Sequence, residues 1–288
     1  MRIAVDAREL VGQRTGVGRY LAELCDQWVT LPADGPHRFE LYGHLPGDTP
    51  EVLGAPFDRH VGPFSYRAVP GAGGTVWEQW DFARAIRADA PDVLFAPAYT
   101  APLRVPVPVV LTVHDISFEA HPEWFGWREG LRRRWLTRQS AGRAHRIISV
   151  SEFTRDELVS HFRTPAARVR VVWSGAGTPT MPGDAVRTPL VLYVGSIFNR
   201  RHIPVLIDGF AEVGRRHPSA ELVLVGANRT HPPEDPLRLA ERAGITSRVQ
   251  VRDYVDDTEL RTLYQRASVF VFLSEYEGFG LPPLEAMA

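Results

Sequence analysis

At 288 residues the chain has room for about two domains of ordinary size, and 44% hydrophobic with 23% charged residues is the profile of a soluble globular protein. A formal net charge of −1 excludes a global field that would recruit nucleic acid or acidic lipid, and a single cysteine, Cys25, excludes an internal disulfide. No secretory signal follows Met1-Arg-Ile-Ala-Val-Asp6, and the longest apolar run, Val105 to Val113, is interrupted by prolines and too short to span a bilayer, so the expected compartment is a reducing cytosol.

In chain order, Arg2 to Val5 reads as a first strand, Gly12 to Gly18 as a glycine loop, and Arg19 to Thr30 as a helix with Tyr20, Leu21, Leu24 and Trp28 on one stripe. Strand, glycine loop and helix form a layout that holds phosphate or sugar above a parallel sheet, or is a plain connection. Phe39–Tyr42, Asp92–Pro97 and Val107–Val113 are further strands, and residues 77–88 a helix. His114-Asp115 ends the third of these strands, on the side where open sheets bind ligands. His114 could donate to a sugar hydroxyl there, and Asp115 could serve the ligand or act as a local cap. Residues 124–146 carry seven arginines interleaved with Trp127, Leu131 and Trp135, which suits a solvated basic helix face or an anionic membrane surface. Ile147–Val150 is a strand, Ser151 the N-cap of the next helix, and Arg168–Trp173 the last strand of the first domain.

A Pro/Gly-rich linker over 178–189 places the domain boundary near residue 185. Strands at 190–194, 220–225, 248–251 and 269–273 then alternate with helices near 204–217, 236–243 and 257–267, implying right-handed crossovers and a parallel sheet. After the first of these strands come Gly195, where backbone can approach a ligand, and the pair Arg200-Arg201, which could meet phosphate oxygens or form a solvated edge. The histidines show no close metal-ligand spacing, so no metal site is expected.

The chain ends in Ser274-Glu-Tyr-Glu-Gly-Phe-Gly-Leu-Pro-Pro-Leu-Glu-Ala-Met-Ala288. Gly278 and Gly280 allow a tight turn, Pro282 and Pro283 suit the start of a helix, and Glu285 is placed in that helix's first turn. One carboxylate, Glu277, therefore hangs on the strand-end loop and another on the helix, beside free backbone N–H groups. Hydroxyls and phosphate on one ligand fit such a site, as in a nucleotide-sugar.

Glu277-Gly-Phe-Gly-Leu-Pro-Pro-Leu-Glu285 resembles the paired-glutamate signature of retaining glycosyltransferases of family 4, which have the GT-B fold. Gly16, Gly18 and Arg19 match that family's first glycine loop, and Leu111–Phe118 with Pro122–Phe125 is similar to another of its segments. The resemblance implies an α/β chain of two Rossmann-like domains facing a cleft, 1–185 on the acceptor side and 186–288 binding the donor. It implies transfer of a sugar, mannose as the guess, from a GDP- or UDP-sugar to a glycan, lipid or small-molecule acceptor, with retention and without cofactor or metal. By the same resemblance Arg200 and Arg201 stabilise the leaving diphosphate, Glu277 holds sugar hydroxyls and Glu285 ribose hydroxyls. The backbone at Phe279, Gly280 and Leu281 reaches sugar and phosphate, and that near Tyr254-Val255 receives the base. His114, Asp115 and the Gly16–Gly18 loop close the site, and no nucleophile is assigned.

The chain departs from the family at Trp173-Ser-Gly-Ala-Gly177, where an Asn-Gly pair is usual, at Arg201, where Lys is usual, and at its end. Family members continue past Ala-Met-Ala288, which leads to the expectation of a truncated product with strand 269–273 as a hydrophobic edge. The alternative is a non-catalytic binding or scaffold protein. A nicotinamide-dependent oxidoreductase lacks its glycine fingerprint here. A cytosolic place, including the inner face of a membrane through the 124–146 segment, follows from this reading.

Overall fold

The structure, a computed structural model, describes residues 1–12, 16–32, 35–44, 51–52, 55–56, 60–175 and 186–288. Two compact units result: residues 1–116 with 131–174, and residues 117–130 with 175–288. The expected boundary near residue 185, like residues 13–15 of the first glycine loop, lies outside the described residues.

The first unit contains β1 (Arg2–Asp6), β2 (Arg38–Gly43), β3 (Glu51–Val52), β4 (Ala55–Pro56), β5 (His60–Val61), β6 (Phe64–Ala68), β7 (Val93–Ala96), β8 (Val109–Val113), β9 (Arg146–Ser149) and β10 (Val169–Val171). Strands β3 and β4 pair only with each other. The other eight form one sheet in the order β10-β9-β8-β7-β1-β2-β6-β5, parallel except for β5, which runs against β6. Helix α1 (Gly16–Trp28) covers one face, where Leu21 and Cys25 join Val5, Leu41, Phe64 and Phe95, and Trp28 stacks on Phe39 with ring centres 4.7 Å apart.

The helix expected over 77–88 is built in three pieces: α2 (Gly74–Val76), a π-helical stretch Trp77–Phe82, and α3 (Ala83–Asp89). The wider π turn lets the Trp77 and Phe82 rings stack at 4.9 Å while Glu78 turns into the interior. α4 (Ser117–Ala120) and a 3₁₀ turn at Pro122–Trp124 precede α5 (Trp127–Arg143), so the basic helix is shorter than its composition suggests. α6 (Glu152–Phe162) begins as expected: the Ser151 hydroxyl oxygen accepts from the Thr154 N–H at 3.0 Å.

The second unit runs β11 (Thr188–Val194), α7 (Ile203–Arg216), β12 (Glu221–Val225), α8 (Pro236–Arg242), β13 (Val249–Arg252), α9 (Asp257–Arg266), β14 (Ala267–Phe270) and α10 (Leu281–Met287). Its sheet is fully parallel, in the order β13-β12-β11-β14. Side chains alternate along each strand as the period of two demands. Tyr193, Leu222 and Leu224 pack with Ile207 and Phe210 of α7, and Leu190, Leu192, Val223 and Val225 with Leu260 and Leu263 of α9.

Two end elements differ from expectation. The last strand covers Ala267–Phe270, with a register shift against β11 between Thr188 and Val191 near its start and one further bond from Val271 N–H to the Leu192 carbonyl at 2.9 Å beyond its end. Helix α10 starts at Leu281, not beyond the prolines. Pro282 and Pro283 sit inside its first turn, where a missing N–H is not felt, and Glu285 falls in the second turn. Among the described residues no helix is long and apolar enough to cross a membrane.

Strand order reverses between β7 and β1 in the first sheet and between β11 and β14 in the second. At such switch points the neighbouring connections leave in opposite directions and open a crevice above the carboxyl ends of the strands. The candidate residues of each unit lie at these ends.

Candidate functional site

In the second unit the loop after β11 and the loop after β14 are joined by a bond from Glu275 N–H to the Arg200 carbonyl, 3.1 Å long. The glycines here have steric work. Gly195 has φ +135°, and a Cβ on it would lie 2.1 Å from Arg201 Nη1, so its absence lets the guanidinium cross the backbone. Gly226, at φ +143° after β12, would place a Cβ 2.2 Å from the Gly195 carbonyl oxygen.

The two arginines are both buried, yet their surroundings differ. Arg201 Nε donates to Glu277 Oε1 at 2.9 Å, and its Nη1 donates to the Ser196 carbonyl at 2.9 Å and to the Tyr193 hydroxyl at 3.3 Å. Burial works against its charge, but Tyr193 and Glu277 hold it above the ordinary arginine range. Three of its five N–H donors are engaged in this way, one of them orienting Glu277. Ser274 Oγ donates to the same Oε1 at 2.6 Å, while Glu277 Oε2 has no hydrogen-bond partner among the described residues and the side chain is 21% exposed. An oriented carboxylate with one open oxygen can accept from a hydroxyl.

Arg200 is 5% exposed and has no carboxylate partner among the described residues. Its guanidinium lies 4.4 Å from the Phe198 ring centre and 6.0 Å from that of Trp124, Nη1 reaches the Ser117 hydroxyl at 3.5 Å, and Nε is buried with no acceptor. Trp124 itself stacks on His121 at 3.9 Å, with Tyr276 edge-on to both rings. A buried cation held by rings and one hydroxyl, with no carboxylate partner among the described residues, carries a desolvation cost on the order of several kcal/mol.

Glu285 lies apart from this pair in its bonding, with Oε2 accepting from the Tyr264 hydroxyl at 2.9 Å. Val255 is a core residue, so only its backbone can face a ligand, whereas Tyr254 is 47% exposed. Gly280 adopts φ +90° as N-cap of α10, which explains glycine there, and Phe279 and Leu281 are half-buried on either side.

In the first unit His114 Nε2 lies 2.8 Å from the Pro97 carbonyl. A carbonyl only accepts, so Nε2 carries the proton. Burial holds the ring below its ordinary pKa, outweighing that bond and the charge of Asp115, and leaves it neutral with Nδ1 as an acceptor. Nε2, the donor, is thus taken by Pro97, and Nδ1 is an acceptor. Tyr20 packs edge-on against the ring at 4.9 Å, Tyr99 lies tilted to it at 5.4 Å, and the Tyr99 hydroxyl donates to Asp115 at 3.3 Å. Gly16 opens α1 with no crowding at its missing Cβ, Gly18 is buried, and Arg19 is half-buried beside it.

The sequence reading missed a charged cluster at this switch point. Arg8 Nη2 lies 2.9 Å from Asp6 Oδ2 and donates to Glu78 Oε1 at 2.6 Å, and the Thr100 hydroxyl donates to Glu78 at 2.7 Å. Burial raises the Asp6 pKa to about 6, against the pull of Arg8. A carboxyl raised on folding favours the folded state when protonated and loses that advantage as pH rises through the folded value. Between about pH 4 and 6.5 wild type should lose up to about 3 kcal/mol relative to Asp6→Asn. Urea melts of both proteins across that range would check it, and parallel curves would refute it. Tyr193 and Ser274 were missed too, as were Ser117 and Trp124, which lie more than seventy residues from Arg200 in sequence. Ser274, three residues before Glu277, is the one with a local signal.

Comparison with known proteins accords with this geometry. Residues 14–178 match Glycosyltransferase Family 4 and residues 183–288 match Glycosyl transferases group 1. The O-antigen chain mannosyltransferase B of Escherichia coli is 31% identical over 196 residues, 62% of this chain and 50% of that protein. The GDP-mannose:cellobiosyl-diphosphopolyprenol alpha-mannosyltransferase of Xanthomonas oryzae is 29% identical over 63% of this chain and 47% of its own length. The matched region thus spans about half the length of these relatives. Sucrose-phosphate synthase from Thermosynechococcus elongatus superposes with a TM-score of 0.71 at 18% identity, over 100% of this chain and 79% of that one. Anabaena Alr3699/HepE in complex with UDP gives 0.65 at 19% identity, over 99% and 78%. Both sheets, their parallel order and these neighbours make the fold GT-B, and the chain belongs to glycosyltransferase family 4.

Proposed function

We propose that the chain acts as a retaining glycosyltransferase that moves a sugar, mannose first among candidates, from a nucleoside diphosphate donor to a glycan, lipid or small-molecule acceptor on the cytosolic side. The observation that carries this reading is Arg200, a buried guanidinium with no carboxylate partner among the described residues, next in sequence to the Arg201 that orients Glu277. Bond breaking at the anomeric carbon places negative charge on the departing diphosphate, and a fixed cation stabilises that charge without reorganising. Glu277, oriented by Arg201 and Ser274, accepts from hydroxyls of the transferred sugar. Glu285 and the backbone near Tyr254-Val255 serve the nucleoside. Within the first unit, His114 as a neutral acceptor, with Asp115, Arg19 and the Gly16–Gly18 turn, offers contacts for ligand hydroxyls. The names of both relatives favour mannose and that of the Xanthomonas relative favours GDP as its carrier, while the UDP bound to HepE keeps a UDP-sugar in the panel.

Thermal melts with GDP, UDP, their sugars and NAD test the reading. A ligand at a hundred times its dissociation constant stabilises by about 2.7 kcal/mol. One base, as diphosphate and as sugar donor, should raise the melting temperature, and Glu285→Ala should abolish the rise. Stabilisation by NAD alone would overturn the assignment.

A further inference from the structure

Helix α5 carries its apolar side chains on the wrong face for a surface helix. Gly130, Leu136, Thr137, Ser140 and Ala141 are buried, while Trp127, Leu131 and Trp135, spaced four apart and so aligned in one stripe, are 74%, 54% and 56% exposed. Exposed arginines flank the stripe at 128, 132 and 138, and the helix as a whole has six arginines against one acid, Glu129. Arg132 Nη1 donates to the Thr75 hydroxyl at 2.6 Å, which ties α5 to α2 and the π-helical stretch. There Val76 and Trp80 are 66% and 73% exposed. Three of the chain's seven tryptophans thus face solvent on two tethered helical segments.

A solvated basic face, the plainer reading of this segment, would not expose three indoles. A protein-binding face of this kind is depleted of charge at its centre, whereas here an arginine adjoins the stripe at nearly every turn. Indole rings favour the interface between headgroups and acyl chains, and guanidinium groups reach anionic headgroups beside them. We infer that Val76, Trp80, Leu131 and Trp135, with Arg128, Arg132 and Arg138 around them, form the face on which the chain docks to an anionic lipid bilayer. The contact is peripheral: the rings enter the headgroup layer, the arginines bind its charge, and the helices lie along the surface. The inference stands on this surface alone and does not depend on which donor the second unit takes.

Sedimentation with phosphatidylcholine vesicles, with and without phosphatidylglycerol, tests it on the full chain, with tryptophan emission as a second readout. Binding should require phosphatidylglycerol, shift emission to the blue and weaken with salt. Arg128→Gln should weaken it about five-fold, and Trp80→Ser with Trp135→Ser should abolish it while leaving the melting temperature unchanged or higher. No binding by the folded chain would overturn the inference. So would equal binding to both vesicles, or self-association in ultracentrifugation that the tryptophan variants remove.

Discussion

Gly226→Ala lowers stability by about 3–5 kcal/mol, the sum of a forbidden backbone conformation and an overpacked contact. The residue sits at φ +143°, and its missing Cβ would stand 2.2 Å from a backbone oxygen and 2.5 Å from the carbonyl carbon of Gly195. Neither atom belongs to a side chain that can swing aside. Gly244→Ala is the control: it too has positive φ, at +70°, but nothing lies within 4 Å of the new methyl, so it costs only about 1–2 kcal/mol. Gly195→Ala falls between them in stability, because the obstructing atom is the end of Arg201, yet it should disturb the site by pushing that guanidinium off Glu277. Chemical denaturation of the three variants checks the order. Equal losses for Gly226→Ala and Gly244→Ala would contradict it.

Arg200→Met should make the protein no less stable, or more stable, while weakening nucleoside diphosphate binding by about thirty- to a hundred-fold, the worth of one or two charged hydrogen bonds. The opposite signs arise because the native side chain is a buried cation with no ion pair among the described residues, so an apolar chain of similar length removes a desolvation cost. Arg201→Met should behave oppositely toward stability. It breaks the bond to Glu277 and leaves that half-buried carboxylate with the Ser274 hydroxyl as its remaining partner among the described residues, for a loss of about 2–4 kcal/mol. Melts and titrations of both variants separate a ligand-directed arginine from a scaffold-directed one. A destabilised Arg200→Met would mean that the rings and Ser117 satisfy the cation as it stands.

What the sequence made legible follows from the range of the interactions involved. The alternation of strands and helices, the Ser151 cap and the parallel second sheet rest on local periodicity, and all appear in the structure. Element details were less legible where tertiary packing sets them: the start of β14 carries a register shift against β11, and the π stretch at Trp77–Phe82 answers to ring packing. The glutamates and arginines of the site stood out as residues, but their division of labour did not. Nothing in Arg200-Arg201 tells which one meets Glu277; that depends on Gly195 leaving space for one guanidinium and on Ser117 and Trp124 flanking the other. The Asp6–Arg8–Glu78 cluster was invisible for a similar reason, since seventy residues separate Arg8 from Glu78 and only folding brings them within 2.6 Å.

The most direct measurement is a calorimetric titration of the chain with GDP, GMP, UDP and UMP, in wild type and Arg200→Met. For one base the diphosphate should bind wild type at least about thirty-fold more tightly than the monophosphate, and the ratio should collapse toward one in the variant. Equal affinities for diphosphate and monophosphate in wild type, or an unchanged ratio in Arg200→Met, would show that Arg200 does not hold the terminal phosphate.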